Sequence, residues 1–377
     1  MSPFPPHPTH ARVDVEAFRN NYRVVRSLVG RDVKIMPVVK ANAYGHGVIP
    51  ISRVAIEEGA AMLGVARSTE AVALRSAGIQ HRILIFEITP PEHEERCLSE
   101  DCDLTVVSEH TARRAEEAAR KLGRVARVHV KIDTGMTRLG IPWESALEVV
   151  KSIARMQHVV IEGVFSHFAT SEAPDATFAR EQLRRFESVL APLRSAGINP
   201  PLIHMANSGA IVNLPEAHFS IVRPGLMLYG FTPRHGMRGE DRLKPVLSLH
   251  SIVTQVKVVP PGTSISYGRL YTTTRQTQIA TIPIGYADGY SRLLSNRGTV
   301  LINDRRYPIA GSVCMDHIMV DVGMEGHVRE GDHVTLLGKD RKEEISGWDI
   351  ADLMQTIPYE VTCLIGARVP RVITEPE

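Results

Sequence analysis

Short apolar runs alternate with longer amphipathic stretches over the first two-thirds of the chain. Strand-length runs cover 34–40, 61–65, 82–86, 103–107, 127–132, 159–165, 202–205 and 220–222. Between them lie stretches with helical spacing or dense charge, at 70–78, 109–122, 144–156 and 178–196, and 15–28 precedes the first run. Eight apolar runs separated by helices predict parallel strands closed into a (β/α)₈ barrel, an α/β fold. A doubly wound open sheet produces the same alternation and is the competing architecture.

The pattern changes after residue 234. A polar, glycine-containing connection over 235–244 leads to runs of strand character at 247–259, 277–283, 299–302, 307–310, 317–321 and 333–337. Glycine and proline punctuate them at short intervals, and 345–357 has helical character. The expected division is a barrel over 13–240 followed by a mostly β domain over 241–377, with residues 1–12 packing on the latter.

The totals narrow the function. The 377 residues are 43% hydrophobic and 23% charged, ordinary for a globular chain of two domains. A net charge of +2 with no basic cluster gives no reason to expect nucleic acid. No apolar run reaches membrane-spanning length, and the proline-rich start lacks the apolar segment of a signal peptide. Four cysteines, with no Cys-x-x-Cys pair, form no disulfide framework, which points to the reducing cytoplasm.

In a (β/α)₈ barrel, chemistry collects at the C-terminal ends of the strands. Lys40 closes the first apolar run. A lysine there either snorkels to the surface or has a task for its amine, such as a Schiff base. Lys131, Asp133 and Arg138 end the fifth run in Lys-Ile-Asp-Thr-Gly-Met-Thr-Arg-Leu-Gly. His167 follows the sixth run, His204 lies in the seventh and Arg223 ends the eighth. Taken singly, each could be a satisfied core histidine or a surface cation. Asn207-Ser208-Gly209 opens a helix and Arg223-Pro224-Gly225-Leu226 opens the last connection. Backbone N–H groups and a hydroxyl at these places suit a phosphate, although Asn-Ser-Gly alone also reads as a helix cap. Asp288, Asp316 and Asp321 match no metal-ligand spacing, so no metal is expected.

Several segments, in order, resemble those of the alanine racemases, enzymes that depend on pyridoxal 5′-phosphate (PLP). They are Val-Val-Lys-Ala-Asn-Ala-Tyr-Gly-His-Gly (38–47), the Lys131–Arg138 segment, Phe-Ser-His (165–167), the two phosphate-type turns, Ser-Ile-Ser-Tyr-Gly (264–268), Pro-Ile-Gly-Tyr-Ala-Asp-Gly-Tyr (283–290), Val-Cys-Met-Asp (313–316) and Pro-Tyr-Glu-Val (358–361). The resemblance runs from about residue 12 to 371 and implies a barrel followed by a β-rich domain. It implies that Lys40 holds PLP covalently and is one acid/base group. Tyr267 would be the other, reaching the site from the second subunit of a head-to-tail homodimer. Racemisation must remove a proton from one face of the α-carbon and return one to the other, so two fixed groups serve better than one. Free tyrosine titrates near ~10 and is a poor base until tuned. His167 matches the histidine beside that tyrosine. Arg223, supported by His204, matches the arginine facing the pyridine nitrogen. Arg138 matches the arginine contacting cofactor and substrate carboxylate, and Lys131 the lysine carbamylated in many members. Tyr44, Ser208, Gly225, Leu226 and Tyr359 match phosphate-binding positions, next to Asn207. Tyr359 and Tyr267 match the pair that narrows the entrance. Met315 would meet the substrate carboxylate from the partner subunit, with Asp316 and Tyr286 lining that side. D-alanine for peptidoglycan is the implied product.

Two places depart from the family pattern. Ser171 stands where many members carry an acid near the access corridor, with Glu172 beside it, and Ser312 and His317 flank Val-Cys-Met-Asp. Four other readings stand against a racemase of alanine. A racemase of serine or of a broader range would share these residues. A barrel decarboxylase would carry an acid in place of Arg223. A PLP-binding protein without catalysis, or a scaffold for partners, would have no need of Tyr267.

Overall fold

The structure, a computed structural model, describes residues 7–374, and among them the chain divides into two compact units. One comprises residues 17–43 and 48–244; the other comprises, among the described residues, 7–16, 44–47 and 245–374.

The first unit is built on eight parallel strands: β1 (Lys34–Ile35), β2 (Leu63–Val65), β3 (Ile83–Ile85), β4 (Cys102–Val106), β5 (Ala126–Asp133), β6 (Val159–Phe165), β7 (Leu202–His204) and β8 (Ile221–Val222). Strands β2 to β7 pair in sequence order. Closure comes from β8 pairing with β1, from Ser220 N–H donating to Ile203 O, and from Ala61 N–H donating to Ile35 O. The predicted barrel is therefore the architecture, and the open doubly wound sheet is not. The strands read as near-continuous apolar runs because both faces are covered. β2, β3 and β4 are buried throughout.

The helices between strands follow from simple patterns. Helix Glu109–Lys121 is capped by Ser108, whose Oγ accepts from Thr111 N–H. It buries Ala112, Ala115, Ala118 and Ala119, small residues that let it lie close to the sheet. Helix Thr177–Ser195 turns Leu183, Phe186, Leu190 and Leu193 inward at three- and four-residue intervals.

The first strand is shorter than its apolar run. Pro37 supplies no N–H to a ladder, so regular pairing stops at Ile35 and resumes only as a bridge between Val38 and Gly64. Lys40 then opens a turn instead of ending a strand.

In the second unit, a sheet runs in the order Arg305–Pro308, Thr299–Ile302, His333–Asp340, Leu247–Ile252, His10–Asp14 and Arg371–Thr374. His10–Asp14 pairs antiparallel with Leu247–Ile252 and parallel with Arg371–Thr374. A three-stranded sheet combines Gln255–Val259, Thr277–Ile282 and Ile318–Asp321. The single run predicted at 247–259 is thus two strands in different sheets. The predicted helix over 345–357 is Gly347–Met354, stopped by Gln355 in the left-handed region (φ 56°). A second helix, Pro358–Leu364, follows with proline at its first position.

The loop after β5 depends on a glycine. Gly140 has φ +135°, and a Cβ there would lie 2.6 Å from the backbone nitrogen of Asp133. Gly140→Ala should lower stability by about 2–4 kcal/mol, since neither the dihedral nor the backbone contact can relax cheaply. A urea midpoint unchanged from the parent would show that the loop after β5 is not held this tightly.

Candidate active site

The chain after Val39 turns left-handed. Ala41, Asn42, Ala43 and Tyr44 have φ of 52°, 54°, 54° and 53°. Each non-glycine residue held there costs roughly 1–2 kcal/mol, so consecutive ones need compensation. Glu70 supplies part of it, accepting from Ala41 N–H at 2.6 Å while also accepting from Ala66 and Arg67 N–H. Asn42 Oδ1 accepts from Val48 N–H at 2.8 Å. This tethered turn sets the start of the Lys40 side chain.

Around the C-terminal end of the barrel the chain gathers cations. Lys131, on β5, is buried, and its ammonium is pushed down from 10.5 to about 8 by burial and then by Arg138, Arg223 and Lys40, with Asp133 opposing. Asp133 Oδ1 also accepts from the N–H groups of Gly135 and Thr137, which shapes the loop that carries the exposed Arg138.

Arg223, just beyond β8, is 4% exposed. Its Nη1 donates to His204 Nδ1 at 2.7 Å. Its Nη2 donates to Ser166 O, His167 Nδ1 and Met205 O at 2.8, 3.0 and 3.2 Å. Burial pulls this guanidinium down to about 9, which still leaves it cationic at neutral pH. His167 and His204 are held well below 6.5 by burial first and the Arg223 charge second, so both are neutral acceptors. Phe165 underlies the group. His204 stacks on its ring at 4.7 Å and 9°, and Lys131 Nζ and Arg223 Cζ lie 5.4 and 5.5 Å from its centroid.

A second cradle forms where β7 and β8 end. Ser208 Oγ accepts from Gly225 N–H at 3.0 Å and Met227 N–H at 3.4 Å, and Leu226 begins the following turn. Asn207 caps the helix Ser208–Asn213 by accepting from Ala210 N–H. Ser171 is buried here and donates to Asn207 Oδ1 at 2.7 Å, so it braces this turn.

In the second unit, Tyr44 and Tyr359 approach with ring centroids 5.7 Å apart. Tyr267 is 74% exposed, on a segment with positive φ at Ser266, Gly268 and Arg269. Ser312 Oγ donates to Tyr267 O, and Ser266 Oγ donates to Ser312 O. Ser312 therefore fixes the backbone under the tyrosine. Tyr286 N–H donates to Cys314 O, and Asp316 is paired with Arg368. Met315 and Tyr286 are exposed.

The family models decide what this arrangement belongs to. Residues 13–233 match the alanine racemase N-terminal domain and residues 246–373 the alanine racemase C-terminal domain. The chain belongs to the alanine racemase family. It is similar to the alanine racemases of Methanococcus maripaludis (43% identity, 97% of this chain and 98% of that one) and Carboxydothermus hydrogenoformans (44%, 97% and 99%). Among solved structures it is similar to the alanine racemase of Clostridium difficile 630, with TM-score 0.94 and 37% identity over 98% of this chain and 97% of that one. The Bacillus anthracis alanine racemase, solved with bound L-Ala-P, matches with TM-score 0.92 and 36% identity over 99% and 96%.

Enzymes of the alanine racemase family use PLP, and the first unit's donors fit it. Four cations, Lys40, Lys131, Arg138 and Arg223, face one carboxylate that is already occupied by N–H groups. Such a site favours an anionic ligand. Among the described residues, Arg223 hydrogen-bonds to neutral partners, which suits an arginine opposite a ring nitrogen acceptor.

Three contributors lie outside the motifs. Glu70 holds the left-handed turn. Gln182 is fully buried and donates to His167 O while accepting from Ala169 N–H. His129 lies behind His204. Only Glu70 left a sequence signal, as the third residue of a helix.

The Lys131 shift has a signed consequence. Its folded-state value is depressed, so between about pH 8 and 10.5 the unfolded chain binds more protons and stability rises with pH. Lys131→Met should therefore stabilise the cofactor-free protein in CO₂-free buffer below pH 8, by up to a few kcal/mol. The gain should vanish toward pH 10.5. Equal denaturant midpoints for parent and variant at pH 7 would contradict it.

Proposed function

We propose that this chain is a PLP-dependent alanine racemase, a cytoplasmic homodimer that interconverts L- and D-alanine. The observation that carries the reading is the buried Arg223, bonded to neutral histidines and carbonyls beside Lys40, Lys131 and Arg138. When bound, PLP supplies an electron sink that acidifies the α C–H bond of an amino acid.

The side chains divide the remaining work. Lys40 holds the cofactor covalently, and its Nζ takes or returns the α-proton on the face of D-alanine. The partner subunit's Tyr267, through Oη, does the same on the face of L-alanine. Arg223 is a permanent cation, so it would keep a cofactor ring nitrogen held opposite it unprotonated and would limit how far charge spreads into the ring. That restraint disfavours transamination and separates this site from a decarboxylase with an acid at the same place. Arg138 pairs with the substrate carboxylate, and Met315 of the partner subunit meets it through N–H. Ser208, Gly225, Leu226, Tyr44 and Tyr359 take the phosphate, with Asn207 holding the turn. Tyr286 and Asp316 line the partner's side. The amine of Lys131 is neutral in useful fraction near pH 8 and can combine with CO₂, releasing a proton, to give a carbamate that orients Arg138.

The head-to-tail dimer is supported by the surface of the second unit. Tyr267, Leu270, Met315 and Tyr286 are all exposed apolar side chains, at 74%, 60%, 52% and 42%. The four cysteines form no disulfide, in keeping with a reducing compartment. Among the described residues no helix is long and apolar enough to cross a membrane. D-alanine made there would serve peptidoglycan synthesis.

Two measurements test this reading. L-Alanine given to the PLP-loaded protein in D₂O should take deuterium at Cα and yield D-alanine. No exchange of alanine, with exchange of serine instead, would transfer the reading to a different racemase. Lys40→Ala and Tyr267→Phe, each nearly inactive alone, should recover about a quarter of parental activity when refolded together in equal amounts, because random pairing leaves one intact site in each mixed dimer. No recovery would mean that one chain supplies both groups.

A further inference from the structure

Behind Arg223 a line of buried polar side chains runs down the inside of the barrel. His204 ends β7, His129 lies in the middle of β5, and Asp103 is near the start of β4. All three are fully buried. His204 Nε2 lies 2.9 Å from His129 Nδ1, and His129 Nε2 lies 3.4 Å from Asp103 Oδ2, the longest link. Asp103 is also bound by Arg82 and by Arg127 Nε at 2.6 Å, and Arg82 bridges onward to Glu162. Burial alone would raise the Asp103 carboxyl. The hydrogen bond from His129 and the two guanidinium groups outweigh that and hold it below its ordinary range.

Only one placement of protons satisfies every link. A guanidinium can only donate, so His204 Nδ1 must accept and the neutral ring carries its proton on Nε2. That proton goes to His129 Nδ1, which must then be bare. His129 therefore carries its proton on Nε2 and donates it to Asp103. Reversing either ring would set two N–H groups or two lone pairs against each other. The chain makes room for this line. A Cβ at Gly163 would lie 2.3 Å from His129 Nδ1, and Phe165 clamps the plane of His204.

We propose that His129 and Asp103 are positioning residues for the racemase site: they lock His204 in the tautomer that accepts from Arg223 Nη1, and so fix the plane of the guanidinium. This rests on the functional reading above for the role of Arg223. Nη2 is held by backbone carbonyls and His167, whereas Nη1 donates to His204. Without an acceptor at position 129, the buried Nε2–H of His204 loses its partner, and that cost pushes the proton toward Nδ1 against the opposition of the guanidinium. Arg223 then turns, and orientation errors of that size cost on the order of 10–100-fold in rate.

The test is ¹⁵N-histidine NMR of the protein with and without PLP, combined with two substitutions at one position. In the parent, His204 and His129 should both be neutral with the proton on Nε2. In His129→Phe, which keeps a ring but offers no acceptor, the His204 signal should become a tautomer mixture. The visible band of the PLP-loaded variant should shift, and kcat should fall by about 10–100-fold with KM changed far less. His129→Asn, whose Oδ1 can accept from His204, should restore the single tautomer and most of kcat. A parental His204 that is protonated on Nδ1 or doubly protonated would overturn the proposal, as would an unchanged His204 signal and band in His129→Phe. If His129→Phe does not fold, the parental spectrum and His129→Asn still decide. A parent that shows the expected tautomers but does not racemise alanine would count against the functional reading and not against the relay.

Discussion

A buried guanidinium whose hydrogen bonds all go to neutral acceptors is the constraint on which the rest of the site depends. Taking Arg223 out of water costs several kcal/mol, and among the described residues its hydrogen bonds go to histidines and carbonyls, with no carboxylate to repay it. Its partners can only be acceptors, which forces His167 and His204 to remain neutral and forces a proton order on what lies behind them. The same charge crowds Lys131, and Arg138 and Lys40 add to the crowding. A cluster of this kind is unfavourable by itself and favourable around an anion. In the proposed function, a phosphate-bearing cofactor and a substrate carboxylate would relieve it, so cofactor affinity and the instability of the bare site would have one origin.

Backbone strain accompanies both proposed acid/base groups. The left-handed run from Ala41 to Tyr44 is costly, and Glu70 and Asn42 offset it with hydrogen bonds to the turn and its flank. The segment carrying Tyr267 has a similar design, with positive φ on either side and a serine tether beneath. Both proposed acid/base groups thus sit on strained, braced backbone, which limits how far either can wander during proton transfer.

Much of this was legible in the sequence for physical reasons. Parallel strands buried on both faces leave apolar runs, and Val159–Phe165 and Thr299–Ile302 coincide with the runs that predicted them. The boundaries that moved did so where backbone rules override hydropathy: Pro37 cuts the first strand, and Gln355 in the left-handed region ends a helix early. The His10–Asp14 strand gave little signal because it is held by neighbours far along the chain. Lys40, Lys131, Arg138, His167, His204 and Arg223 stood out as polar residues at or near strand ends. His129 and Asp103 did not, because a polar residue inside a strand has no local mark of purpose. Their meaning lies in contacts between β4, β5 and β7. Ser171, which looked like a departure in an access corridor, braces the Asn207 turn instead.

The most direct measurement concerns the ring nitrogen that Arg223 is proposed to face. In protein loaded with PLP labelled with ¹⁵N in its ring, the nitrogen should have the chemical shift of an unprotonated pyridine throughout the neutral pH range. A protonated ring nitrogen would mean that the cation does not govern the cofactor, and the central role given to Arg223 would be wrong.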